Sequence, residues 1–272
     1  MLAVAIVAAL TLGALVFAIW WEQERIVFQP SPPPYPDGAP ARRITFRADD
    51  GPEIYAYVVG DSAHAAANGA LLMFHGNADL AAWRVPWALE VARRTGRMIV
   101  LAEYRGYGGI PGPPSVPGVR SDAEAALAWL RQATGLPTSR IALYGHSLGS
   151  AIATELAASH PPEVLLLESP FSSARDMARI IIAAPLERVW RLISRVHYDT
   201  EARVRTLEVP VWVAHGTNDL IIPARMGRAV FEAARRQGTL LEVAGAGHND
   251  VPETGGEEYW AWLKGGLGVG ER

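Results

Sequence analysis

With 272 residues, half of them hydrophobic, the chain can bury the core of one large α/β domain. A formal net charge of -3, with no basic stripe interleaved with aromatics, argues against a nucleic-acid partner. There is no cysteine, which excludes a thiol nucleophile, disulfide staples and thiolate metal ligation together.

Met1 to Trp21 is apolar throughout, and roughly twenty such residues span a bilayer as a helix. Trp20 and Trp21 sit where interfacial anchors belong, and neither a basic leader nor a small-residue cleavage site precedes them. Residues 1–21 are therefore expected to be an uncleaved transmembrane anchor that makes the membrane a partner of this chain. Arg25, Arg42, Arg43 and Arg47 follow the segment and none precedes it, which leans towards a cytoplasmic position for the rest of the chain. Within residues 22–41, the run from Pro30 to Pro36 predicts a stiff extended linker that holds the following domain, residues 42–272, off the surface.

Ile44–Arg47 and Ile54–Val59, separated by Asp49-Asp50-Gly51, alternate as a β-hairpin should, and this is the chain's only antiparallel signal. From Ala70 onwards apolar strands alternate with helical stretches: Ala70–Phe74, Met98–Leu101, Ile141–Tyr144, Val164–Leu167, Val211–Ala214 and Leu240–Val243. Continuous rather than alternating apolar strands imply burial on both faces, hence a mostly parallel sheet flanked by helices. Ser121-Asp122-Ala123-Glu124 reads as a capping-box start for a helix through Leu130. Between Ser169 and Asp199 the strand rhythm breaks for a stretch holding Met177, Ile180, Ile181, Ile182, Leu186, Val189, Trp190, Leu192 and Ile193. Residues 170–199 are read either as a small helical lid over a pocket or as an ordinary outer helix lengthened by a turn or two.

The chemistry is carried by Gly145-His146-Ser147-Leu148-Gly149, which joins an apolar strand to a helix and so places Ser147 on a tight strand-to-helix turn. There Ser147 would be the nucleophile, and the Leu148 N–H, at a helix N-terminus, would face an oxyanion. Phe74-His75-Gly76-Asn77-Ala78 follows another strand and would supply the second donor, the Asn77 backbone N–H. Two further strands lead into His215-Gly216-Thr217-Asn218-Asp219 and Gly247-His248-Asn249-Asp250. The order Ser147, Asp219, His248 suits acyl transfer: a serine hydroxyl needs a base at neutral pH, and an imidazole needs a carboxylate to hold its tautomer. Glu168 also ends a strand and competes for the role of the acid. His75 is expected to brace its turn, and His146, His215, His64, His160 and His197 to be structural. No zinc-binding spacing occurs, so neither a metal nor a cofactor is expected.

As an ordered set, His75-Gly76-Asn77-Ala78, Tyr104-Arg105-Gly106-Tyr107-Gly108, Gly145–Gly149, Ser169-Pro170-Phe171-Ser172-Ser173, His215–Asp219 and Gly247–Asp250 resemble the α/β-hydrolase superfamily. Within it the chain is similar to the membrane-anchored serine hydrolases of the Bem46 and ABHD13/ABHD17 group. The resemblance implies an α/β-hydrolase fold and Ser147, Asp219 and His248 as a catalytic triad. It also implies that Tyr104–Gly108 shapes a loop near the pocket. Eukaryotic relatives that cleave protein thioesters carry an N-terminal cysteine cluster, from which this chain departs. A carboxylic ester or acyl thioester, small or lipid-derived, is the expected substrate. A serine peptidase or amidase and a catalytically silent binding protein are the other readings of this fold.

Overall fold

Apolar runs without alternation cannot face water on either side. In the computed structural model, which describes residues 1–49, 51–181, 190 and 192–269, these runs form the middle of a single eight-stranded sheet. Its strands are β1 (Arg42–Arg47), β2 (Glu53–Val59), β3 (Ala70–Phe74), β4 (Met98–Ala102), β5 (Ile141–His146), β6 (Leu165–Glu168), β7 (Val211–Gly216) and β8 (Gln237–Val243). They lie in the order β1-β2-β4-β3-β5-β6-β7-β8. Pairing is parallel from β4 to β8. β2 pairs antiparallel with β4 as well as with β1, so the hairpin is not the only antiparallel element.

Every residue of β3 and β4 is buried, and successive side chains point into two different cores. Leu72 and Phe74 face one cluster and Leu71 and Met73 the other. The helices divide accordingly. The first cluster takes side chains from α4 (Val116–Thr134), α5 (Leu148–Ser159), α7 (Thr200–Val204) and α8 (Ala224–Ala233). The second takes them from α3 (Val85–Thr95) and α9 (Val251–Gly266). The remaining helices are α1 (Leu2–Val27), α2 (Ser62–Asn68) and α6 (Ala174–Ile181).

Three expectations need correction. Among the described residues no helix is long and apolar enough to cross a membrane, so the transmembrane helix expected over residues 1–21 is not found. Those residues open α1, which runs on through Glu22, Gln23, Glu24 and Arg25 to Val27, and its early turns leave Leu2, Val4, Leu10 and Phe17 exposed. The linker does not hold the domain away either. Phe28 and Ser31 are buried, and the Tyr57 hydroxyl donates to the Pro36 carbonyl at 3.3 Å, so this segment lies on the domain. Finally, α4 starts at Val116 rather than Ser121. Ser115 caps it by accepting the Gly118 N–H at 3.1 Å, with a proline in the first turn. Asp122 is not a capping residue. It lies inside the helix, buried, and takes the Arg105 backbone N–H at 2.8 Å and the Arg105 guanidinium at 2.7 Å.

Of the expected lid, α6 and Trp190 are described, while Ile182, Leu186 and Val189 lie outside the described residues. The two ends of the excursion are joined, with the Ala174 N–H donating to the Tyr198 carbonyl at 2.7 Å.

Candidate active site

β5 ends at His146 and α5 begins at Leu148, leaving Ser147 alone to reverse the chain, at φ 53° and ψ -119°. An L-residue at positive φ is strained, and it is tolerated here because its surroundings leave no alternative. A Cβ on Gly145 would stand 2.2 Å from the Gly149 carbonyl oxygen, and one on Gly149 would stand 2.0 Å from that of Phe74. Both glycines of the motif are therefore required by the close approach of three backbones. Leu148 opens α5, so its N–H is among the amides for which a helix offers no internal acceptor.

The loops after β7 and β8 bring the other two expected residues to this turn. The His248 Nδ1–H donates to Asp219 Oδ2 at 2.7 Å, which leaves Nε2 to accept from the Ser147 hydroxyl at 2.9 Å. Asp219 Oδ1 accepts the Ile221 and Ile222 N–H groups, both at 2.8 Å. His215 Nε2 lies 3.2 Å from Oδ2 and donates to the Ile222 carbonyl at 2.8 Å. Burial alone would raise the Asp219 pKa. The donors from His215 and His248 and the Ile222 N–H outweigh it and hold the carboxyl well below the usual range. His215, expected to be merely structural, thus supports the Asp219 carboxylate, and its place four residues before Asp219 at a strand end was the available signal.

Asn77 lies on the loop after β3. Gly76 passes so close to the turn that a Cβ there would stand 3.0 Å from Ser147 Cβ. Beneath the loop His75 is fully buried, with Nδ1 donating to the Gly76 carbonyl at 2.9 Å and Nε2 to Glu103 Oε1 at 2.5 Å. Two donated hydrogen bonds mean a protonated ring. Burial works against that charge, but the Glu103 carboxylate prevails and the His75 pKa is raised. The Tyr104 hydroxyl donates to the His75 carbonyl at 3.0 Å, so the Tyr104–Gly108 segment also braces this loop.

A second buried network runs through His146, the residue before Ser147. Arg84, paired with Asp79 at 2.6 Å, donates to His146 Nδ1 at 3.0 Å. His146 Nε2–H is then the donor to the His248 carbonyl at 3.1 Å. Burial first, then the charges of Arg84 and His248, push the His146 pKa well below its ordinary value, so the ring stays neutral. Glu168, the competing acid, is buried and accepts from the Tyr144 and Tyr259 hydroxyls, the latter at 3.1 Å. It is not the partner of His248. Arg84 and Asp79 carried no sequence signal, because their contacts join positions distant in the chain.

A cavity of about 630 Å³ opens over these groups, within the range of small-molecule sites. Asn77, Ser147, Leu148 and His248 all line it, and Ile26, Val27, Phe171, Met177, Trp190 and Ile222 give it apolar walls.

The model of the α/β-hydrolase fold family matches residues 69–195. The uncharacterized protein Rv2307c of Mycobacterium tuberculosis is 35% identical over 252 residues, covering 91% of this chain and 87% of its own length. The lysophosphatidylserine lipase ABHD12 of Danio rerio is 28% identical over 189 residues, 62% of this chain and 48% of that protein. Among solved structures, the esterase RhEst1 from Rhodococcus sp. ECU1013 superposes with a TM-score of 0.60 at 18% identity, over 82% of this chain and 98% of that one. That last likeness is one of fold.

Proposed function

The chain belongs to the α/β-hydrolase family, and from that premise we propose that it is a serine hydrolase cleaving a carboxylic ester or acyl thioester with an apolar acyl part. The single observation that carries this reading is the unbroken hydrogen-bond chain from Ser147 through His248 to Asp219, opening on an apolar cavity.

In this reading Ser147 Oγ attacks the acyl carbonyl carbon while His248 Nε2 takes the hydroxyl proton. Asp219, held ionised by its N–H donors, stabilises the imidazolium and keeps Nε2 facing the serine. The Leu148 and Asn77 N–H groups take the oxyanion, each such donor being worth on the order of 3 kcal/mol in the transition state. Collapse expels the alkoxide or thiolate, which receives the proton from His248. A water deprotonated by His248 then releases the carboxylic acid and regenerates Ser147. The lipase activity in the name of the ABHD12 relative and the apolar walls both support an acyl-chain substrate.

The exposed apolar turns of α1 support residence at a lipid surface, and Arg25 after them favours a cytoplasmic domain. Recovery of the full-length protein in the soluble fraction of lysed cells would remove this part of the reading. A fluorophosphonate probe tests the nucleophile. Labelling of the wild type and none of Ser147→Ala is expected, and labelling that survives the substitution ends the proposal. Among p-nitrophenyl esters of graded length, activity confined to the shortest would count against an acyl-chain substrate.

A further inference from the structure

α1 does not end away from the chemistry. Its last residue and the two that follow run beside the loop that carries Asn77, and the Asn77 carboxamide joins the two backbones. Asn77 Nδ2 donates to the Val27 carbonyl at 2.6 Å, and Oδ1 accepts the Gln29 N–H at 3.0 Å. The Tyr107 hydroxyl donates to the same Oδ1 at 2.5 Å. Beyond the side chain, the Ala78 N–H donates to the Gln29 carbonyl at 2.9 Å, with Ala78 held at φ 49°. Phe28, between the two bonded residues, is buried, its ring edge-on to Tyr198.

We propose that the Asn77 side chain is a positioning residue that clamps Val27–Gln29 to the oxyanion loop, so that the end of α1 is a working part of the active site. The inference rests on the serine-hydrolase reading above. An oxyanion donor contributes only if it is held in place before charge develops. Here the residue supplying that donor is tied to the same short segment twice, through its own side chain and through the next peptide, with Tyr107 bracing the carboxamide as well. The carboxamide meets one backbone C=O and one backbone N–H of that segment, an acceptor for its nitrogen and a donor for its oxygen. A helix whose early turns expose apolar surface therefore ends in direct contact with the transition-state machinery. Its seating on the domain becomes a condition for turnover.

The test uses full-length protein in detergent, with fluorophosphonate labelling and the kcat and KM of a p-nitrophenyl ester as readouts. Asn77→Ala keeps the backbone N–H and removes the carboxamide's bonds to Val27, Gln29 and the Tyr107 hydroxyl. It should lower kcat about tenfold or more while KM stays within about twofold. Asn77→Asp, of the same shape, sets a carboxylate oxygen against the Val27 carbonyl and should be no better than Asn77→Ala, which a role in packing alone would not require. Gln29→Pro deletes one N–H of the clamp, and Phe28, at φ -93° and ψ 115°, already has the backbone that a following proline demands. It should lower kcat about threefold, and the double variant Asn77→Ala with Gln29→Pro should be no worse than Asn77→Ala, as residues acting through one contact require. If Asn77→Ala fails to fold, Gln29→Pro decides alone: wild-type kcat overturns the proposal. Unchanged kcat in a folded Asn77→Ala, restored kcat in Asn77→Asp, or losses that multiply also overturn it. A wild type that takes no label instead sinks the hydrolase reading, which separates the two failures.

Discussion

In the loop after β7 the Asp219 carboxylate gathers N–H groups from Ile221, Ile222 and His248, with His215 Nε2 3.2 Å away. One strand over, at the end of β6, Glu168 is enclosed with two tyrosine hydroxyls, and its Oε1 lies 3.8 Å from His146. Residue type and position in the sheet are nearly the same, yet the surroundings drive the two acids apart. Asp219 is held ionised against its burial. Burial raises the Glu168 pKa in spite of Arg84, Tyr144 and Tyr259. Which of two strand-end carboxylates can serve a histidine is thus decided by the donors each loop supplies.

That contrast is easiest to break at Asp219. Asp219→Asn should cost on the order of 10⁴-fold in kcat for ester hydrolysis, because the amide favours the wrong imidazole tautomer. A loss smaller than that of Glu168→Gln would reverse the assignment of the acid. Next in size is Arg84→Met, which leaves His146 without the donor that fixes its tautomer and loosens its hold on the His248 carbonyl. A drop of roughly ten- to a hundredfold in kcat is expected, as for small misplacements of a reacting group. The Glu168 side chain bonds neither His248 nor Ser147, so Glu168→Gln should stay within about tenfold of wild type. Its effect is on stability instead. A carboxyl with a raised folded pKa contributes fully below its ordinary value of about 4.3 and loses that contribution as pH climbs through the folded value. Urea unfolding at rising pH should therefore show Glu168→Gln gaining on the wild type.

The smallest expected effect concerns two buried histidines, His146 and His75. His146 is held neutral, so below about pH 6.5 the unfolded chain binds a proton that the folded chain refuses, and stability falls with acidification. His75 is held protonated, so above about pH 6.5 the folded chain keeps a proton that the unfolded one has released, and stability falls as pH rises. Together they place a shallow maximum near pH 6.5 in the urea midpoint. His75→Gln should flatten the alkaline limb and leave the acid one.

Much of this was legible in the residues. β3 spans Ala70–Phe74 as its apolar run predicts, and the glycines around Ser147 announce a turn that only they allow. What misled were cues with two meanings. Ser121 and Asp122 have the spacing of a helix start, but a proline-led turn five residues earlier had already begun the helix, and Asp122 serves Arg105. An apolar stretch and a proline run likewise read as anchor and spacer, whereas burial of Gln23, Phe28 and Ser31 draws the second half of that region onto the domain.

The sequence by itself determined the strands, the turn that carries Ser147 and the chain order of serine, carboxylate and histidine, because period and glycine placement act over a few residues. Only the tertiary structure decided which acid meets His248, that Arg84 reaches it through His146, and that Asn77 holds the end of α1. Those contacts join residues separated by tens of positions. Their geometry depends on strand order and loop length together, which no local stretch of sequence encodes.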